Sequence, residues 1–430
     1  MKLKEIANIT GGTIKGNLNV NVERFEFDSR KVTEKTLFIP LKGNRDGHNF
    51  IDDAAKRGAA ATLSEKELKP ILPTIHVENT MEAFKKIALH KREIFSGNVI
   101  GITGSVGKTT TKELLTYVLS KFFTVHSNVE SYNNLLGITH TLANLKKCSV
   151  YIQEIGTNSP GEVATLTEMV KPHIGVVTAV EPGHLEGFKT FENLLKEKFS
   201  LIENTEVKIA PSHLAKEKNI LTFGKGGTAE IIEAHFYPEK TLFTAKINSK
   251  TVNGQVNIPG RGILNAILIT LLIGNVLNIP PEEIVEIVKT FKPPKWRMEI
   301  VKFGSITLIR DYYNANPASM KNAIDVLSLY ETPKVAVLGE MLELGSHSEK
   351  LHRDIGKYLS EKGIEEALFF GKNSVFYLSN FNGRGYHFNN RDEFLQFLKT
   401  FDFSGKTVLI KGSRGNKLEE VETIIRERFQ

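Results

Sequence analysis

One stretch of this chain has the residues to grip a phosphate chain: Thr103-Gly104-Ser105-Val106-Gly107-Lys108-Thr109-Thr110. A β-rich run, 98–103, precedes it. A helical run follows, with Leu114, Leu115, Val118, Leu119 and Phe122 at helical spacing. Glycines let backbone N–H groups face phosphate oxygens, and a helix N-terminus adds the positive end of its dipole. Lys108 would reach the β- and γ-phosphates, and Thr109 would hold Mg²⁺ through its hydroxyl. The spacing, Gly104-x-x-Gly107-Lys108-Thr109, falls short of the full GxxxxGK[ST] pattern. The plain alternative is a glycine-rich turn between strand and helix with a chance lysine.

A second feature is a lysine on an apolar stripe. The run 190–204 reads as a helix whose stripe is Phe191, Leu194, Leu195, Phe199 and Ile202. Lys198 falls on that stripe, four residues from both Leu194 and Ile202, while Lys196 points to the other side. A buried ammonium is costly without a partner. A neutral amine there could take up CO₂ as a carbamate, a carboxylate-like metal ligand; the alternative is a lysine that snorkels to solvent. Glu154 ends a strand at 150–155, and His184 follows a strand at 174–180. Ligands gather at the C-terminal ends of strands in open α/β sheets. Beside the phosphate loop, these two residues are candidates to hold Mg²⁺; either alone could be a solvated loop residue.

These residues need a scaffold. A chain of 430 residues is too long for one ordinary core. Residues 1–97 form a first α/β unit, with strands at 36–41 and 60–63 around a helix at 50–57. Residues 98–292 form a central unit with a mostly parallel sheet and a β-rich insertion at 223–258. Lys292-Pro293-Pro294-Lys295 marks a hinge. Residues 293–430 form a third α/β unit, with strands at 307–310, 334–338, 367–370 and 407–410. The apolar run 263–279 is broken by Asn265, Gly274 and Asn275 and reads as a core helix, so no membrane insertion is expected. The net charge of +7, from 56 basic and 49 acidic residues, is mild and interspersed; it does not point to a nucleic-acid partner, and it suits small acidic ligands such as nucleotides equally well. One cysteine, Cys148, excludes a disulfide framework and fits the cytoplasm, as does an N-terminus without a signal-length apolar run.

Taken together, the phosphate loop, Tyr132-Asn133-Asn134, Glu154-Ile155-Gly156, His184-Leu185-Glu186-Gly187-Phe188 and Lys198 resemble the Mur ligases of bacterial cell-wall synthesis. That likeness implies three domains: an N-terminal α/β domain for a uridine nucleotide, a central P-loop ATPase-like parallel sheet, and a C-terminal Rossmann-like domain. It also implies ATP, two Mg²⁺ ions and a carbamylated Lys198. Asp28-Ser29-Arg30-Lys31 and Leu41-Lys42-Gly43 resemble the family's uridine-nucleotide site. The stretches 311–317, 338–345 and 411–414 resemble the member that adds D-alanyl-D-alanine to UDP-N-acetylmuramoyl-tripeptide. The Asp-Asn-Pro-Arg motif of the sister that adds a diamino acid is absent from the sequence.

By this likeness ATP would be held by Gly104 through Thr110, Asn265, Arg297 and Asp311. The UDP-linked peptide and the dipeptide would meet Ser29, Arg30, Asn133, Asn134, Asn314, Asn316, Lys411 and Arg414. Lys108, Glu154, His184 and Lys198 would be catalytic, with Thr109, Glu154, His184 and the Lys198 carbamate on metal. The family's His-Asn-x-x-Asn is here Arg261-Gly262-Ile263-Leu264-Asn265, and Trp296 stands where glycine usually precedes the arginine. Arg30 could equally sit in a surface turn, and Lys411 or Arg414 could be solvated. His352 and Glu349 read as residues on a helix surface, weak candidates for the base. The implied reaction is amide ligation through an acyl-phosphate, by a monomer. Alternatives are a diamino-acid-adding or folylpolyglutamate synthase-like ligase, and a P-loop nucleotide switch.

Overall fold

The fold is described from a computed structural model covering residues 1–67, 71–129, 131–181 and 185–429, with backbone only at 185 and 186. The chain divides into two compact units. One holds Met1–Gly101, Phe123–Thr157 and Val163–His173; the other holds Ile102–Phe122, Asn158–Glu162 and Ile174–Gln430. Its strands form three sheets, and the architecture is α/β, as expected.

In the first unit a five-stranded sheet runs in the order Thr13–Lys15, Thr74–His76, Ala61–Ser64, Thr36–Phe38, Arg24–Glu26. Only the Thr13–Lys15 pairing is antiparallel. Phe38, Ile51, Ala54 and Ala59 close one face of it. The helix Thr80–Glu93 begins where the Asn79 side chain accepts from the Glu82 N–H, and it packs against the helix Leu135–Ala143. Strands Val125–Ser127 and Val150–Glu154 pair in parallel, and the latter is buried throughout. A run buried at every residue is the mark of a central parallel strand.

In the second unit Ile174–Val177, Val207–Pro211 and Ile220–Phe223 are parallel neighbours. The expected β-rich insertion is a meander of Ala229–Tyr237, Lys240–Ile247 and Lys250–Val256, antiparallel throughout. The helix Leu264–Val276 is apolar almost all round and packs against the helix Lys108–Leu119, which explains its composition without a membrane. Among the described residues no helix is long and apolar enough to cross a bilayer.

A six-stranded sheet follows, in the order Glu299–Phe303, Ile306–Asp311, Thr407–Lys411, Lys334–Gly339, Glu366–Phe370, Arg384–Phe388. Its four inner strands are the four expected from sequence. The two edge strands were not expected; they are half-buried and mixed in polarity, so they give no apolar run.

Three local expectations need correction. The helix expected over 190–204 spans only Phe191–Phe199, capped by Thr190, whose hydroxyl accepts from the Asn193 N–H at 3.2 Å. Ile202 lies in the turn beyond it and is still buried, whereas Phe191 is exposed. Phe122 likewise lies past the end of its helix at Leu119 and is exposed.

Candidate active site

The phosphate loop is shaped by two glycines with positive φ, Gly104 at 143° and Gly107 at 85°. At Gly104 a side chain would strike the Thr178 hydroxyl, so the close approach requires glycine. Thr178 braces the loop by donating to the Val106 carbonyl at 2.6 Å, and the Ser105 N–H donates to the Ala179 carbonyl at 2.6 Å. The sequence offered no signal for Thr178.

At Lys108 the helix begins without a side-chain cap. The residue at the cap position is Gly107, which has no side chain to turn back on the first N–H groups. The Ser105 hydroxyl is buried and makes no hydrogen bond within the described structure. An orphaned donor beside an uncapped helix start suits a phosphate oxygen. Lys108 folds back to donate to the Gly104 carbonyl at 2.7 Å, which places its ammonium over the loop.

Arg297 reaches this loop from the segment that follows Pro293 and Pro294. Its Nη2 donates to the Thr109 hydroxyl at 3.1 Å, and its guanidinium lies 4.1 Å from the Tyr313 ring centre. Tyr313 is a second residue that sequence reasoning missed, although it sits in the 311–317 stretch singled out above. Asp311 accepts from the Met298 N–H at 3.1 Å and pairs with Lys411 at 2.6 Å. Burial pushes the Asp311 carboxyl above its usual range, while Lys411 and Arg297 oppose that shift. The structure thus brings Gly104, Ser105, Val106, Gly107, Lys108, Thr109, Arg297, Asp311 and Lys411 into one connected set. Thr110 continues the helix, and Asn265 is exposed at the start of its own helix.

Lys411 is only 1 % exposed, and its ammonium also meets the Asp311 and Asn314 carbonyls. Asp311 and Lys411 are directly paired in the parallel register of their strands. That arrangement makes Lys411 the anchor of Asp311. Replacing it by methionine would strand the Asp311 carboxylate. Lys411→Met should therefore destabilise by about 3 kcal/mol, seen as a lower urea midpoint. Unchanged stability with a raised KM for the dipeptide would instead mark a substrate ligand. Arg414 pairs with Glu419 at 2.9 Å, and its guanidinium lies 4.8 Å from the Trp296 ring centre.

Asn316 caps the helix Pro317–Ser328 in a reciprocal capping box with Ser319. The Asn314 carbonyl oxygen of the side chain accepts from the Ala315 N–H at 2.8 Å.

In the first unit, Ser29 is buried at the start of a short 3₁₀ turn, with the Asp28 carboxylate as its cap. Arg30 is in a surface turn, its side chain 80 % exposed, and it forks onto Asp28 with two bonds of 2.8 Å. That guanidinium holds the Asp28 carboxyl below its usual range. Asn133 donates to the Glu154 carboxylate at 2.8 Å, and Asn128 accepts from the Glu154 backbone N–H at 2.8 Å, so one asparagine orients the carboxylate and the other holds its strand end. Asn134 caps the helix Leu135–Ala143 by accepting from the Gly137 N–H at 2.9 Å. Asn134→Ala should cost about 1 kcal/mol of stability. A urea melt would check this, and an unchanged midpoint would rule out the capping role.

Lys198 is 2 % exposed and lies on the buried face with Leu194, as its spacing implied; Lys196 is exposed. Its neighbour Glu197 accepts from the Gly161 N–H at 2.7 Å. His184 lies outside the described residues. The Thr109 hydroxyl and Glu154 carboxylate are hard oxygen donors that suit Mg²⁺. Among the described residues no three His, Cys, Asp or Glu side chains gather as a metal site.

His352 is not on a helix surface, as expected, but fully buried. Its Nε2 accepts from the Met341 N–H at 3.0 Å, and its Nδ1 lies 2.7 Å from the Ser348 carbonyl. Both ring nitrogens are engaged and burial lowers its pKa, so it is a neutral structural residue. A signal was present: His352, Ile355 and Leu359 share one helix face. Glu349 is exposed and pairs with Arg353 at 2.9 Å.

Comparison with known proteins bears on this arrangement. Residues 102–274 match the Mur ligase middle domain, and residues 296–414 match the Mur ligase glutamate ligase domain. The chain is 32 % identical to the UDP-N-acetylmuramoyl-tripeptide–D-alanyl-D-alanine ligase of Rickettsia prowazekii, over 94 % of this chain and 95 % of that one. The crystal structure of MurF from Acinetobacter baumannii superposes with a TM-score of 0.90 at 26 % identity, covering 99 % and 98 % of the two chains. MurF ligase from Thermotoga maritima, solved in complex with ADP, gives a TM-score of 0.83 at 27 % identity, covering 95 % and 98 %. A phosphate loop, an arginine on its threonine and likeness along nearly the whole length agree: the chain belongs to the Mur ligase family.

Proposed function

We infer that the chain is an ATP-dependent ligase that joins D-alanyl-D-alanine to UDP-N-acetylmuramoyl-tripeptide, as its full-length relatives are named for doing. The observation that carries the reading is Arg297 on Thr109 at the head of the helix that leaves the phosphate loop. Such a pair would set positive charge beside a phosphate bound at the loop.

The peptide carboxylate is a poor electrophile. A carboxylate oxygen attacks the γ-phosphorus, the bond to the β-phosphate oxygen breaks, and ADP leaves. The amine of D-alanyl-D-alanine then attacks the acyl carbon. The tetrahedral intermediate expels phosphate, and a proton leaves the nitrogen. Positioning and charge neutralisation dominate the phosphoryl step. Lys108 and Arg297 supply fixed positive charge, the loop amides and Ser105 cradle oxygens, and Asp311 offers a carboxylate to a ribose. Bound Mg²⁺ would further neutralise the phosphates; Thr109, Glu154, His184 and a carbamylated Lys198 are the residues proposed to hold it. Ser29, Arg30 and Asn133 are proposed for the UDP-linked peptide, and Arg414 for the dipeptide carboxylate, with bidentate geometry available to both arginines. Lys411 is proposed to act only through Asp311. The single cysteine fits a cytoplasmic enzyme, and a monomer is proposed.

The test is phosphate release and product mass with ATP, UDP-N-acetylmuramoyl-tripeptide and a panel of amines. D-alanyl-D-alanine should trigger turnover. Turnover with lysine or glutamate alone would reassign the acceptor to a sister ligase, and release without any amine would indicate a nucleotide switch.

A further inference from the structure

Arg297 stands between two residues with left-handed backbones, Trp296 at φ 62° and Met298 at φ 53°. That conformation is rare for bulky side chains and persists where surrounding contacts over-determine it. The contacts lie on both sides of the turn. The Trp296 N–H donates to Glu299 at 3.2 Å, and Glu299 is held by Arg310 at 3.2 Å. The Met298 N–H donates to Asp311, which Lys411 holds in turn. The indole packs on Tyr312, with ring centres 5.3 Å apart, and against the core beneath the six-stranded sheet. Arg414 lies against the same indole.

One side chain therefore borders two functional arginines. Arg297 follows it in sequence and reaches Thr109; Arg414 follows the strand Thr407–Lys411 and rests on its ring. Glycine is the residue that this backbone favours. The indole must then contribute something that glycine would not. We propose that Trp296 is a positioning residue: its ring, packed on Tyr312 and bordered by Arg414 and Lys295, fixes the aim of Arg297 at the nucleotide phosphates and steadies Arg414 for the acceptor. This deepens the ligase reading and rests on it.

Trp296 is the chain's single tryptophan, so its emission reports on this turn alone. In the wild-type protein, ADP should change that emission with the midpoint that calorimetry gives for ADP binding. Trp296→Gly relieves the backbone and should fold, yet its kcat should fall by about 10- to 100-fold, with a smaller rise in the KM for ATP. Trp296→Phe keeps a ring and should recover most of the loss. Wild-type kcat and KM in Trp296→Gly would overturn the proposal, as would emission unmoved by ADP that calorimetry shows to be bound. If Trp296→Gly does not fold, the wild-type emission titration decides. A wild-type protein that neither binds ADP nor releases phosphate would overturn the ligase reading itself.

Discussion

Lys108→Ala should lower kcat for phosphate release by about 10²- to 10³-fold, the loss seen when one preorganised donor to developing charge is removed. The size follows from the loop. The ammonium is already placed over it by the bond to the Gly104 carbonyl, so little reorganisation is needed when a phosphate arrives. It lies at the start of a helix with no side-chain cap, so it acts together with the helix dipole and the loop amides. Arg297 remains in the variant, and its positive charge explains why some activity should survive. Lys108→Arg should not restore the rate, because a planar fork differs from a compact ammonium in reach and shape. The check is single-turnover phosphate release with saturating ATP, alongside a urea melt to confirm that the variant is folded. A loss of less than tenfold in kcat would remove Lys108 from the phosphoryl step and leave the loop as a glycine turn with a chance lysine.

The parts of this site that could be read from sequence are those whose determinants are local. A strand, two glycines, a lysine and a threonine in one run specify the loop's shape and its chemistry together. The burial of Lys198 was legible from its four-residue spacing to Leu194, even though Ile202 turned out to lie beyond the helix end. The partnership of Asp311 with Lys411 was not legible. They are joined only because two strands a hundred residues apart pair in parallel, and neither residue's neighbours announce that register. The same reason hid Thr178, which braces the loop from a separate strand end. Asn134 and Asn316 both cap helices, a role set by their places just before Leu135 and Pro317; the substrate contacts that the resemblance implies for them are proposals beside that role. Trp296 looked like a departure from a family pattern; only its backbone angle showed why glycine is usual there.

Lys198→Ala should reduce turnover by about 10³-fold, and short carboxylic acids should restore part of it. The helix Phe191–Phe199 turns Leu194 and Lys198 to the same buried side. A carbamate on that nitrogen would present two carboxylate-like oxygens to a cation. In carbamate formation the neutral amine nitrogen would attack the carbon of CO₂, a carbon–oxygen π pair would move to oxygen, and one proton would leave the nitrogen. Loss of the carbamate would remove several kcal/mol of charge stabilisation, which is the origin of the expected factor. Acetate or propionate in the space vacated by the side chain would return a carboxylate without the lysine. Wild-type activity should also rise when bicarbonate is restored to CO₂-depleted buffer, and Lys198→Ala should not respond. A lysine that serves only as a cation predicts otherwise: Lys198→Arg would be active, and neither carboxylates nor bicarbonate would matter. Urea melts of each variant separate these outcomes from loss of fold.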